Sequence, residues 1–204
     1  MRGLTLVLVA AGATAAASFA ARADTVTISA HPLVVRWPTG TTLSGFVSSG
    51  QARELVNIEA KECPSRSFRT ASWTRTTGRG AWEADIGPRT RTVLRARWGD
   101  THSREVVVLV RPHLVLGQIS RRLFRAQLLI GIDANGKRLL LQRFDAEGRA
   151  WKPVKSFVFD SPSTGWPQMT FSASVPKGAT VRLALPRARA QPCYLGGYSN
   201  ILTT

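Results

Sequence analysis

The sequence predicts an all-β protein built as two tandem antiparallel β-sandwich domains, on three observations. Apolar and polar residues alternate in short runs, glycine and proline punctuate those runs at turn positions, and helical periodicity is scarce. The pattern is clearest over residues 80–112. Ala81, Trp82, Ala84 and Ile86 alternate there, followed by Leu94, Ala96 and Trp98 with Arg95 and Arg97 on the opposite face. Gly87-Pro88 and Gly99-Asp100 supply turns, and Arg111-Pro112 closes a valine-rich strand where proline would break a ladder. These are expected to be the closing strands of the first sandwich.

Upstream, Met1-Arg2-Gly3, an apolar run from Leu4 to Ala17, and Ala21-Arg22-Ala23 before Asp24 match a secretory signal peptide over residues 1–23, helical in its apolar run. That run is too short for a membrane span and no second one follows, so the product is expected to be exported, secreted or held at the cell surface, without a stable membrane span. A retained anchor is the alternative. The mature chain is then long enough for two small domains, placed at residues 24–112 and 113–204.

Within the first domain, Val26 and Ile28 begin a strand that His31-Pro32 interrupts, and a short second strand is expected from Leu33 to Trp37, before Pro38. Residues 41–47 alternate again, and Ser48-Ser49-Gly50-Gln51 is a polar turn. Between Leu55 and Cys63, Val56, Ile58 and Ala60 share one face, with Asn57, Glu59 and Lys61 on the other. Residues 68–73 continue weakly, and Thr77-Gly78-Arg79-Gly80 turns the chain into the opening stretch.

The second half looks like a divergent copy. Residues 124–130 form a strand, Asp133-Ala134-Asn135-Gly136 carries the Asn-Gly signal of a tight hairpin, and residues 137–144 form the next strand. Asp145-Ala146-Glu147-Gly148 is a turn before Trp151, which is expected to plug the space between sheets, as Trp82 and Trp98 are expected to fill the first core. Alternation over residues 169–175, the turn Pro176-Lys177-Gly178, and residues 181–185 supply further strands.

Thr42-Leu43-Ser44-Gly45-Phe46-Val47-Ser48, then Gly80-Ala81-Trp82, then Val93-Leu94-Arg95-Ala96-Arg97-Trp98-Gly99, resembles the bacterial secreted Ig-like and fibronectin type III-like modules. Leu94 stands where those modules usually have a tyrosine. In the second half, Gly136 to Arg143, Gly148 to Val154, Val181 to Pro186, and Tyr194-Leu195-Gly196-Gly197-Tyr198-Ser199 resemble the corresponding segments, with Cys193 at a position often held by glycine. The resemblance implies two Ig-like sandwiches acting as a non-enzymatic interaction or scaffold module at the bacterial cell surface.

The formal charge is +16, and removal of Arg2 and Arg22 leaves 16 minus 2, or +14, nearly all from arginine. This balance suits an anionic envelope polymer or acidic glycan, with a protein as a further partner class; the competing reading is that the arginines reflect coding bias and solvate strand faces. An extracellular destination disfavours nucleic acid as the physiological partner. Cys63 and Cys193 lie in different halves. A bridge between them would clamp the domains together and needs Cα atoms within about 7 Å; separate thiols and an intermolecular bridge are the alternatives.

No catalytic motif is present: there is no Gly-x-Ser-x-Gly elbow, no His-Glu-x-x-His and no phosphate-cradling Gly-x-x-x-x-Gly-Lys loop. His31, His102 and His113 are scattered, neither cysteine has a partner at ligand spacing, and Asp133 and Asp145 sit in turn sequences, so neither a metal nor another cofactor is expected. A carbohydrate-active accessory or hydrolytic enzyme with a spatially assembled site is the alternative class. Binding, if carried by loops, is expected at Trp166, Tyr194 and Tyr198.

Overall fold

Alternating residues send every second side chain to the same face of a strand, and the computed structural model, which describes residues 24–161 and 167–204, follows that rule in both halves. The expected signal peptide and Trp166 lie outside the described residues. In the N-terminal half the strands are β1 (Ser29–His31), β2 (Val34–Arg36), β3 (Thr41–Phe46), β4 (Leu55–Glu62), β5 (Arg69–Arg75), β6 (Ala81–Ile86), β7 (Thr92–Trp98), β8 (Thr101–His102) and β9 (Val106–Arg111). One sheet runs β1-β3-β6 and the other β2-β9-β7-β4-β5, with β8 paired to β7. Pro32 has no N–H to give a ladder, and the chain changes sheets there: β1 pairs with β3, whereas β2 runs parallel to β9.

The C-terminal half contains β10 (His113–Ser120), β11 (Leu123–Leu129), β12 (Arg138–Asp145), β13 (Ala150–Val158), β14 (Gln168–Ser172), β15 (Thr180–Leu185), β16 (Gly197–Tyr198) and β17 (Leu202–Thr203). Its sheets are β10-β11-β14 and β13-β12-β15-β16, with β17 also paired to β15. A single-turn helix, α1 (Arg187–Ala190), follows β15, and the fold as a whole is all-β. No helix among the described residues is long and apolar enough to cross a membrane.

The two halves repeat one topology. With β2 and β8 set aside and β16 and β17 taken together as one position, the first, second and fifth strands of each half form one sheet, and the fourth, third, sixth and seventh form the other in that order. In the N-terminal half, Leu43 and Trp82 from one sheet and Val56, Ile58, Leu94, Ala96 and Val108 from the other supply buried side chains to the core. Phe124, Leu128 and Phe171 meet Leu139, Leu141, Phe157 and Leu183 in the same way in the C-terminal half. Trp98 is only partly buried and packs at the margin.

Residues 80–112 supply strands to both N-terminal sheets: β6 joins β3, and β7 and β9 cross to the facing sheet. The Asn135-Gly136 turn is not a hairpin. β11 pairs with β10 and β14 while β12 pairs with β13 and β15, so the chain between them bridges two sheets. Gly136 has φ of 78°, and the Asp133 side chain caps the Asn135 N–H at 2.9 Å, which explains the turn chemistry without strand pairing. The true hairpin is the next turn, where Asp145 pairs with Ala150 and Lys152 Nζ lies 2.5 Å from Asp145 Oδ2.

Candidate functional site

The outward face of the larger N-terminal sheet collects the polar residues of the alternating strands. Asn57, Glu59 and Lys61 project from β4, and register places Arg95 opposite Glu59 and Arg97 opposite Asn57. Glu59 accepts from Arg95 Nε at 2.7 Å and Arg97 Nε at 3.0 Å, and His102 Nε2 lies 3.5 Å from the same carboxylate. Burial pushes the Glu59 pKa up, but the Arg95 hydrogen bond and charge, with Arg97 and His102, outweigh it and hold the carboxyl below its usual value.

The Arg95 guanidinium also lies 4.1 Å above the Phe68 ring, and Lys61 Nζ approaches the same ring at 4.5 Å. Trp73, on edge strand β5 opposite Asn57, is 63% exposed. A guanidinium carries five N–H donors, so binding Glu59 through Nε leaves Arg95 with further donors for an external anion. This face combines arginines, one internal carboxylate that holds them upright, and an exposed indole at its edge.

A second face lies on the larger C-terminal sheet. The Arg182 guanidinium is sandwiched between the rings of Trp151 at 4.1 Å and Tyr198 at 3.7 Å, and its Nε donates to Gln142 Oε1 at 2.9 Å. Phe144 packs against Trp151 with ring centroids 5.4 Å apart. Trp151 is therefore not the plug expected from the sequence: β13 is an edge strand and turns Trp151 outward against Arg182, while Phe157 and Phe171 fill the core. Spacing alone could not reveal this, because a bulge between Leu141 and Gln142 shifts the register that decides which face receives each side chain.

The residues singled out for binding divide. Tyr198 is exposed and caps the Arg182 stack. Tyr194 is buried, 3% exposed, and does not stand out from the surface as a stacking aromatic. Its hydroxyl sits beside the main chain of Gly131 and Ile132 without a hydrogen bond of ordinary geometry, and burial pushes its pKa up to about 12. Cys63 and Cys193 form a disulfide with Cα atoms 5.3 Å apart. Arg91 runs beside it: its N–H donates to Cys193 O at 2.8 Å and its carbonyl accepts from Cys63 N at 3.0 Å.

His102 approaches Glu59, but the neighbouring Ser103 hydroxyl accepts from Ala96 N at 2.9 Å and donates to Arg104 O at 2.8 Å. Those bonds occupy the oxygen that a nucleophile would need free. Among the described residues, no group of three or more His, Cys, Asp or Glu side chains is placed to hold a metal ion. The arginine–aromatic faces, absent from the expected site residues except for Tyr198, had a partial signal in the sequence: Arg95 and Arg97 alternate on the outward side of β7, while the aromatic partner of Arg95 comes from another segment of the chain. No protein-family model and no curated protein matches the chain.

Proposed function

We propose that the chain is a non-enzymatic, exported interaction module of two tandem Ig-like sandwiches, related to the bacterial secreted fibronectin type III-like modules, which binds anionic cell-envelope polymers. The repeated strand order of the two halves supports the tandem Ig-like reading. The observation that carries the binding reading is the surplus of unpaired cations. The chain has 28 lysines and arginines against 12 acidic residues, and among the described residues only Lys61, Arg95, Arg97 and Lys152 of those cations lie within 4.0 Å of a carboxylate.

Arginine beside an aromatic ring suits a polymer that alternates anionic groups with sugar or apolar faces. The N-terminal face offers both elements side by side, with Arg95 and Trp73 on the sheet and Phe68 just ahead of β5. A pull-down of the purified protein on isolated anionic cell-wall polymer tests the reading at about 0.1 M and about 1 M salt, where the screening length falls from roughly 10 to 3 Å. Strong retention at low salt and loss at high salt are expected. Absent or salt-independent retention would contradict it.

A further inference from the structure

The two halves meet over a cavity of about 270 Å3 that involves neither arginine–aromatic face. Leu109, Tyr194 and Leu195 give it apolar walls, and Arg91, Arg187 and Gln191 give it polar ones. Arg91 comes from the approach to β7 in the N-terminal half, and Arg187 opens α1 in the C-terminal half. Neither guanidinium makes an ion pair or side-chain hydrogen bond among the described residues, and no carboxylate lines the cavity.

Main-chain bonds fix this frame. Arg91 is held to both cysteines of the disulfide, Leu195 N donates to Val110 O at 2.9 Å across the junction, and Gln191 N donates to Arg187 O at 3.0 Å. Two guanidiniums on one cavity with no carboxylate beside them suit an anionic group with several oxygens, and a phosphate offers more acceptor oxygens and more negative charge than a carboxylate. The volume lies below the range of about 300–1,000 Å3 usual for whole small-molecule ligands, so it suits a charged group on a larger body.

We propose that this junction cavity is a binding site for a phosphate group, read by Arg91 and Arg187 together. The site is distinct from the sheet faces and stands whether or not those faces bind polymer. The test is a titration of the isotope-labelled, oxidised protein with inorganic phosphate, and separately with dimethyl phosphate, at ionic strength held constant with chloride. Amide shifts are the readout.

Saturable shifts are expected around Arg91, Gln191 and Leu195, with affinity lowered at least tenfold in Arg91→Gln and in Arg187→Gln. Both arginines are exposed, so the substitutions leave the core untouched. Arg104→Gln, which removes an exposed charge outside the cavity, is expected to leave the affinity unchanged. Saturation by inorganic phosphate alone supports a terminal phosphate ligand, and saturation by both probes supports a phosphodiester within a chain. Shifts that fail to saturate with either probe, or an affinity unmoved by both Arg91→Gln and Arg187→Gln, would overturn the proposal.

Discussion

Glu59 is the residue on which stability and binding pull in opposite directions. Its carboxylate holds Arg95 and Arg97 in place, yet it also occupies donors that an external anion would use. Glu59→Gln is expected to destabilise the protein by about 1 kcal/mol, because charge-assisted bonds are lost at a site only partly shielded from solvent. The same variant is expected to retain anionic polymer more strongly, since two cations lose their internal partner. Chemical denaturation and polymer retention measured on the same preparation check both halves of this expectation. The Glu59 pKa is depressed in the fold, so its contribution to stability is present above the unfolded carboxyl value and disappears as pH falls through the depressed one. The difference between wild type and Glu59→Gln should therefore close in acid.

Tyr194 supplies the opposite limb. Its pKa is raised to about 12 by burial, so between the ordinary tyrosine value near 10 and about 12 the unfolded chain gives up this proton first. Stability should fall across that window in the wild type. Tyr194→Phe, which also removes a buried hydroxyl lacking a well-formed hydrogen bond, should lose this part of the alkaline decline and be at least as stable near neutrality. Urea unfolding at a series of alkaline pH values is the measurement; an undiminished decline in the variant would assign the effect to other groups.

Among the elements, β7 links core to surface. Leu94 and Ala96 are fully buried on its inner side, while Arg95 and Arg97 stand on its outer side. Leu94→Ala is expected to cost about 3 kcal/mol through lost transfer energy and a residual cavity, lowering Tm by roughly 6–12 °C for a chain of this size, as calorimetry would read. This inward and outward division was legible because period two survives in any half-buried strand. The Gly45-Phe46 and Gly80-Ala81-Trp82 segments were also legible as strands, but not the reason for their glycine. Gly45 lies opposite Trp82, and a Cβ there would sit 2.7 Å from the indole and 2.0 Å from Thr27 O. What the sequence did not disclose were features set by register and partner choice: the outward turn of Trp151, the burial of Tyr194, and the sheet change at Asn135-Gly136. Each depends on which distant strand pairs with which, and local alternation carries no such information.

Across the whole molecule, the disulfide joins residues 130 positions apart, one from each half. Closing so long a loop removes much of the freedom of the unfolded chain, by about 5 kcal/mol in the chain-entropy model. The junction does not depend on that bond alone. Arg91, Leu195 and the Arg111 guanidinium make hydrogen bonds across it, and Gly131 fits so closely that a Cβ would lie 2.4 Å from Arg89 O. A Cys63→Ala/Cys193→Ala variant is therefore expected to lose about 2–5 kcal/mol while each half keeps its strand order, because the paired sheets of each half bury their own apolar residues. Gly131→Ala, with the disulfide intact, should strain only the junction. If the halves act as one body through this contact, both variants should weaken phosphate binding at Arg91 and Arg187 while leaving the amide shifts of the Leu94 core unchanged. Were the disulfide variant instead to lose the core signals of one half, that half would depend for its folding on the other, and the paired topology would not mark two independently stable units.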